Sequence, residues 1–237
     1  MRLHHTILYI MAAGMAAALP SCESTPYETG DGGLSYMRAD YADITVRKGA
    51  VTSIITDDDM ELVPPEGLSV SLSMPRDTLL RALLHYNLRE QTSPIELLGT
   101  TPVTVLTPHD RSEITGMKTD PVKLISMWKS RNGRYINLHL GVMCGNSEAD
   151  NGRQLIQIVR DSIHTAGRAA LFLSLYHDQA GVPEYYTEEL HISLSTRDLT
   201  IPYADDPAMQ PDTVCVTMRT YGGTVTRKFI TSTDNHN

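Results

Sequence analysis

The chain has 237 residues, of which 41% are hydrophobic and 20% are charged, and this is the composition of a globular protein. Its 28 acidic residues outnumber its 20 basic ones. The net charge of −8 argues against a nucleic-acid-binding protein, whose affinity comes mostly from neutralising phosphates. Three cysteines are too few for a disulfide-stabilised scaffold, so we expect one or two domains with hydrophobic cores.

The first 21 residues have the pattern of a bacterial export signal. Residues 6–20 are uncharged and rich in alanine, but they are too few to span a membrane, and Ser21 and Cys22 follow them. The segment 19–22 resembles a lipobox, in which the cysteine becomes the lipidated N-terminus. An ordinary secretory signal with an unrelated cysteine is the alternative. We therefore expect a lipoprotein signal peptide in residues 1–21, a lipid on Cys22 and a tether in residues 22–29.

Alternating apolar and polar residues predict short strands throughout the first half of the mature chain. Residues 79–88 are ambiguous, because they fit both the two-residue repeat of a strand and the spacing of a helix. Residues 57–59 are three consecutive aspartates, which predict a solvated hairpin turn, since a calcium-binding loop needs spaced ligands and a glycine. Five or six short strands are typical of a small barrel, which we assign to residues 30–110. The other predicted strands are 35–46, 51–56, 60–63, 69–74 and 103–106.

The second half, residues 111–237, shows strands at the spacing of a β-sandwich. Residues 178–183 form a turn-rich segment that predicts a long hairpin. Strand alternation after this turn places Tyr186 toward the core and Tyr185 toward solvent. The predicted strands are 135–144, 155–159, 169–176, 186–194, 214–218 and 224–230.

The segment 175–186 reads LYHDQAGVPEYY, and it follows three other characteristic segments along the chain. Together these four segments resemble the NigD-like lipoproteins of anaerobic Gram-negative bacteria. LYHDQAGVPEYY is similar to that family's most recognisable run, although Ala180 stands where the family leads us to expect glycine. The resemblance implies an OB-type barrel followed by a β-sandwich, and it favours a strand for residues 79–88. The family is named after a bacteriocin-linked locus, so it implies an immunity role by association only. The other matching segments are 30–41, 53–58 and 81–87.

The sequence contains no motif of a hydrolase, a catalytic cysteine or a clustered zinc site. Its nine histidines form no HxH, HxxxH or HExxH motif, and we expect singles such as His139 and His191 to be surface or strand positions. We therefore predict a non-enzymatic protein without cofactor or metal. The alternation also places Cys144 on the apolar face of its strand and Cys215 on the polar face of its strand. One thiol would then point inward and the other outward, which argues against a disulfide between them but leaves the question open.

The candidate binding residues are Tyr176, His177, Asp178 and Tyr185, because tyrosines beside polar groups suit protein recognition. Packing of these side chains within their own turn is the alternative. The expected partners are the membrane, through the lipid, and a protein, either a toxin or another envelope protein. A surface polysaccharide-binding lipoprotein is the second functional hypothesis, and a single tryptophan, Trp128, disfavours it. An OB-like domain also suggests nucleic acid, but residues 30–110 hold six basic against twelve acidic residues.

Overall fold

The protein is built almost entirely of β-strands, as its alternating sequence predicts. A computed structural model describes residues 36–69, 75–145, 153–165, 169–203, 205–206 and 208–231. Besides the strands, this part of the chain has one short helix, α1 (Thr196–Thr200), and two single 3₁₀ turns, at Arg111–Glu113 and Ile201–Tyr203. The strands are β1 (Met37–Arg47), β2 (Ala50–Thr56), β3 (Glu61–Leu62), β4 (Thr78–Asn87), β5 (Glu96–Pro102), β6 (Thr104–Leu106), β7 (His109–Asp110), β8 (Lys123–Lys129), β9 (Tyr135–Cys144), β10 (Leu155–His164), β11 (Ala170–Asp178), β12 (Tyr186–Ser195), β13 (Thr213–Thr220) and β14 (Gly223–Ile230).

The first half forms one antiparallel five-stranded sheet with the order β3-β2-β1-β4-β5. This is the strand count expected of the OB-like domain, but the described strands do not close into a barrel. The two edges of the sheet are joined at one bridge. Val63, directly after edge strand β3, pairs with Pro94, which precedes the other edge strand, β5. There the N–H of Ile95 donates to the carbonyl oxygen of Val63 at 3.0 Å.

Of residues 79–88, which are ambiguous between helix and strand, all but Leu88 lie in strand β4 and pair with β1. The two-residue repeat decides their burial, because Ala82, Leu84 and Tyr86 all point into the core of the first sheet. The opposite face of β4 carries Arg81, which is also buried. At Arg81, strand β4 is therefore covered on both faces, by its own core on one side and by the second half of the chain on the other, whereas Leu79 is exposed.

The second half is a sandwich of two sheets, with the orders β14-β13-β11-β10-β7 and β6-β12-β9-β8. Its core is formed by apolar side chains that alternate along the facing strands, such as Leu138 of β9, Leu173 of β11 and Val216 of β13. Strands β6 and β7 precede residue 111 but pair in parallel with β12 and β10. The all-β class and the sandwich are confirmed, and the division into two domains at residue 110 stays a prediction.

Candidate functional site

Residues 179–185 connect two different sheets and do not form the predicted hairpin turn. Strand β11, before them, pairs with β10 and β13, whereas β12, after them, pairs with β6 and β9. This crossover loop is held by its own hydrogen bonds. The N–H of Val182 donates to the carbonyl oxygen of Gln179 at 2.9 Å, and the N–H of Gln179 donates to Asp120 Oδ2 at 2.7 Å. The loop is therefore anchored by hydrogen bonds at one end of the sandwich.

Two of the four predicted contact residues are buried. Only 1% of His177 is exposed, and its ring nitrogens lie 3.0 Å from the carbonyl oxygen of Asp120 and 3.2 Å from Gln154 Oε1. Its backbone is covered as well, since residue 177 forms a parallel bridge with Thr119. Tyr176, its neighbour, is also buried. The expectation that these two residues contribute to a binding surface is therefore wrong, and they anchor the end of β11.

The other two predicted residues lie at the ends of the crossover loop. Asp178 is half-buried and its Oδ1 accepts the N–H of Ala180 at 2.9 Å, so its carboxylate stabilises the turn. Tyr185 is 76% exposed, while its backbone N–H donates to the carbonyl oxygen of Cys144 at 2.9 Å. A ring on a fixed backbone loses little conformational freedom when it binds, so Tyr185 alone keeps the properties of a contact residue.

Tyr186 contradicts the expectation of burial, because 52% of it is exposed. The alternation that predicted its burial applies only where a strand has a covered face. The first four residues of β12 are all exposed, and burial begins toward Ile192. Tyr186 is therefore a second exposed tyrosine at the start of β12, next to Tyr185 in sequence.

A third exposed tyrosine, which the sequence analysis did not single out, lies in the turn between β13 and β14. Tyr221 is 53% exposed, and its pKa is raised by partial burial and by the negative charges of Glu184 and Asp120. Thr220, its neighbour, forms a parallel bridge with Val122, and Asp120 accepts the N–H of Gln179, so this turn lies at the same end of the sandwich as the crossover loop. We define the tyrosine surface as Tyr185, Tyr186 and Tyr221. The turn Tyr221-Gly222-Gly223 was visible in the sequence, but only the fold brings it to this end of the sandwich.

A buried polar cluster connects the first sheet to the sandwich. The guanidinium of Arg81 donates to Asp43 Oδ1 at 3.0 Å, to Asp57 Oδ2 at 2.8 Å and to Asn137 Oδ1 at 3.0 Å. Its Nε donates to Ser193 Oγ at 2.7 Å. The predicted hairpin turn at residues 57–59 is present between β2 and β3, and Asp58 and Asp59 are exposed. Asp57 departs from the prediction of a solvated position, because the Asn137 amide also donates to Asp57 Oδ2 at 2.8 Å. This cluster therefore joins the first sheet to the sheet that contains β9 and β12, whose strands are far away in sequence.

Two histidines that are 52 positions apart in sequence are stacked on the sandwich. The rings of His139 and His191 have centroids 4.3 Å apart, and Glu189 Oε2 lies 2.7 Å from His139 Nε2. One ring nitrogen of each histidine and an oxygen of Glu189 all lie within 4.8 Å of one another. Both histidines occupy strand positions, as expected, and the fold brings them together with a carboxylate. These residue types are ligands of transition metals.

Both described cysteines are free thiols. Burial and the hydrogen bond to Glu188 raise the pKa of the Cys144 thiol, whose Sγ lies 3.5 Å from Glu188 Oε2. Cys215 is buried, contrary to the outward orientation that alternation predicts, because β13 is covered on both faces along its first four residues. The predicted signal peptide (residues 1–21), the tether and the lipidation site Cys22 lie outside the described residues. Within the described residues, no helix is long and apolar enough to cross a membrane.

The fold has counterparts among solved structures. A NigD-like immunity protein from Bacteroides caccae superimposes with a TM-score of 0.62 at 19% identity, covering 81% of this chain and 96% of that one. The chain has the fold of a NigD-like protein. This agrees with the resemblance of its sequence segments. A candidate lipoprotein from Bacteroides fragilis matches with a TM-score of 0.59 at 15% identity, covering 84% and 99% of the two chains.

A third structure, a toxin-related candidate protein from Parabacteroides distasonis, has a TM-score of 0.56 at 16% identity and covers 81% of this chain and 92% of that one. Comparison with protein-family models gives no match, and comparison with curated protein sequences gives none either. At these identities the similarity establishes the shared fold alone. The function has to be argued from the residues of this chain.

Proposed function

We propose that this protein is a non-enzymatic lipoprotein of the cell envelope that binds a protein partner through the tyrosine surface. The observation that carries the proposal is the exposure of three tyrosines on backbone that is held by hydrogen bonds. Tyrosine is enriched in protein interfaces, because its ring supplies apolar area and its hydroxyl supplies a hydrogen bond. The names of the structural neighbours, an immunity protein, a candidate lipoprotein and a toxin-related protein, suggest that the partner is a toxin.

The charge of the chain supports a partner with basic residues. Glu184 lies next to Tyr185, and Glu188 is exposed two residues after Tyr186. The net charge of −8 would speed association with a basic protein and would repel nucleic acid. Lipidation at Cys22 would hold this surface at the membrane, where an incoming toxin acts.

Polysaccharide binding is the weaker alternative. Trp128, the aromatic residue best suited to stacking on a sugar ring, is half-buried and packs edge-to-face against Tyr41 with ring centroids 5.3 Å apart. This internal contact disfavours stacking of the Trp128 ring on a sugar.

The proposal is tested by photo-crosslinking in intact cells. A photoreactive amino acid is placed at position 185, and at position 98 in a matched control, because Leu98 is also an exposed apolar side chain but lies on the first sheet. We expect a discrete adduct at position 185 that protease degrades and glycosidases do not. An adduct that glycosidases remove would favour the polysaccharide alternative, and equal adducts at both positions would contradict the proposed surface.

The same cells separate immunity from other protein binding. Cells that lack the protein are complemented with the wild type, with Tyr185→Ala or with Tyr185→Phe, and are exposed to culture supernatants of toxin-producing relatives. We expect Tyr185→Ala to lose protection and Tyr185→Phe, which keeps the ring, to retain most of it. Full protection by the alanine variant would refute a role of Tyr185 in immunity.

A further inference from the structure

His139, Glu189 and His191 project from one face of the sheet that contains β9 and β12. His139 and His191 are direct cross-strand partners, and Glu189 precedes His191 by two positions, so it lies on the same face. The opposite face of these strands forms the core through Leu138 and Leu140. The side chains of three chain positions therefore converge because of strand register, outside the tyrosine surface.

The separations of these atoms are close to those of a metal site. Ligand atoms of a tetrahedral Zn²⁺ ion are about 3.3 Å apart when each bond is about 2.0 Å long. Here His139 Nε2 and Glu189 Oε2 are 2.7 Å apart, and the three candidate ligand atoms lie within 4.8 Å of one another. The separation expected in a tetrahedral site lies between these two values.

Tyr41 of β1 orients the third ligand. Its hydroxyl lies 2.6 Å from His191 Nδ1, which leaves Nε2 as the nitrogen with a free lone pair when Nδ1 carries the proton. Histidine ligands of metals commonly have such a partner on the second nitrogen, and it fixes both the tautomer and the ring orientation.

We propose that His139, Glu189 and His191 bind one divalent transition-metal ion of the Zn²⁺ class. Two imidazoles and a carboxylate suit this class, whereas Ca²⁺ and Mg²⁺ prefer oxygen ligands throughout. Three protein ligands leave a coordination position open. A cleft of about 390 Å³ borders two of the three residues, Glu189 and His191, and is also lined by Thr101 and Thr104.

The test is a calorimetric titration of the purified full-length protein, stripped with a chelator, with Zn²⁺. We expect one Zn²⁺ per chain for the wild type. Glu189→Gln is expected to weaken binding at least tenfold, while the matched control Glu188→Gln, which removes the same charge from the opposite strand face, binds as the wild type does. Tyr41→Phe is expected to weaken binding by about tenfold, the typical effect of losing a partner of a ligand.

A parallel measurement uses Co²⁺, whose visible absorption reports coordination by nitrogen in tetrahedral geometry. His139→Ala is expected to abolish this signal, and thermal melting without metal verifies that each variant folds. The pair Glu189→Gln and Glu188→Gln decides the outcome if the histidine variant does not fold, because both positions are exposed. Equal affinity of these two variants, or no binding of Zn²⁺ by the wild type at micromolar concentration, would overturn the proposal.

Discussion

Replacement of Arg81 by methionine is expected to lower the free energy of unfolding by about 3–5 kcal/mol, because it leaves buried charges without a partner. The side chain of Arg81 is 2% exposed, and that of its partner Asp43 is 7% exposed. Methionine fills much of the same volume, so the loss comes from the unpaired carboxylates of Asp43 and Asp57 more than from a cavity.

The structure supports this magnitude in a second way. Arg81 forms charged hydrogen bonds to two carboxylates, Asp43 and Asp57, and each such bond contributes about 1.5–3 kcal/mol. Arg134 still contacts Asp43 Oδ2 at 3.3 Å, which offsets a part of the loss. For a chain of this size, 3–5 kcal/mol corresponds to a decrease of roughly 6–20 °C in melting temperature.

The assay is urea denaturation of Arg81→Met, Asp57→Asn and the double variant. Because the two residues are in direct contact, we expect the double variant to lose about 1–3 kcal/mol less than the sum of the single losses. Arg47→Met serves as the control, since Arg47 is exposed at the end of β1 and its replacement should change stability by less than about 0.5 kcal/mol. A loss below 1 kcal/mol for Arg81→Met, or strict additivity, would refute the reasoning.

Three further predictions concern single positions. Ala180→Gly should raise the free energy of unfolding by about 0.5–1 kcal/mol in urea denaturation, because Ala180 has a φ of +52°, where a side chain is strained; a decrease would contradict this. Gly145→Ala should lower the free energy of unfolding by about 1–3 kcal/mol in the same assay. A Cβ there would lie 2.7 Å from the carbonyl oxygen of Pro183 and 2.9 Å from a ring carbon of Tyr185. Unchanged stability would show that the crossover loop can shift to accommodate the methyl group. Cys22→Ala should move the protein out of the membrane fraction after a high-salt wash, because the lipid supplies the membrane affinity; retention would contradict the anchor.

The alternation of apolar residues along the sequence determined which segments are strands. Strand β9 shows this best, since Ile136, Leu138 and Leu140 occupy every second position and all lie in the core. A two-residue repeat is local, so it is readable without knowing the neighbours of a strand. The same principle applies to β4, whose buried core positions follow the two-residue repeat of a strand and not the spacing of a helix.

The tertiary structure decided which strands become neighbours and how far each face is covered. Tyr186 continues the buried phase of β12 but extends past the covered part of the sheet, so it is exposed. His139 and His191 are separated by 52 positions, and they meet because β9 pairs with β12 in one particular register. The same applies to Arg81, whose partners Asn137 and Ser193 belong to the other half of the chain. Pairing and coverage depend on contacts between distant segments, and a local period carries no information about them.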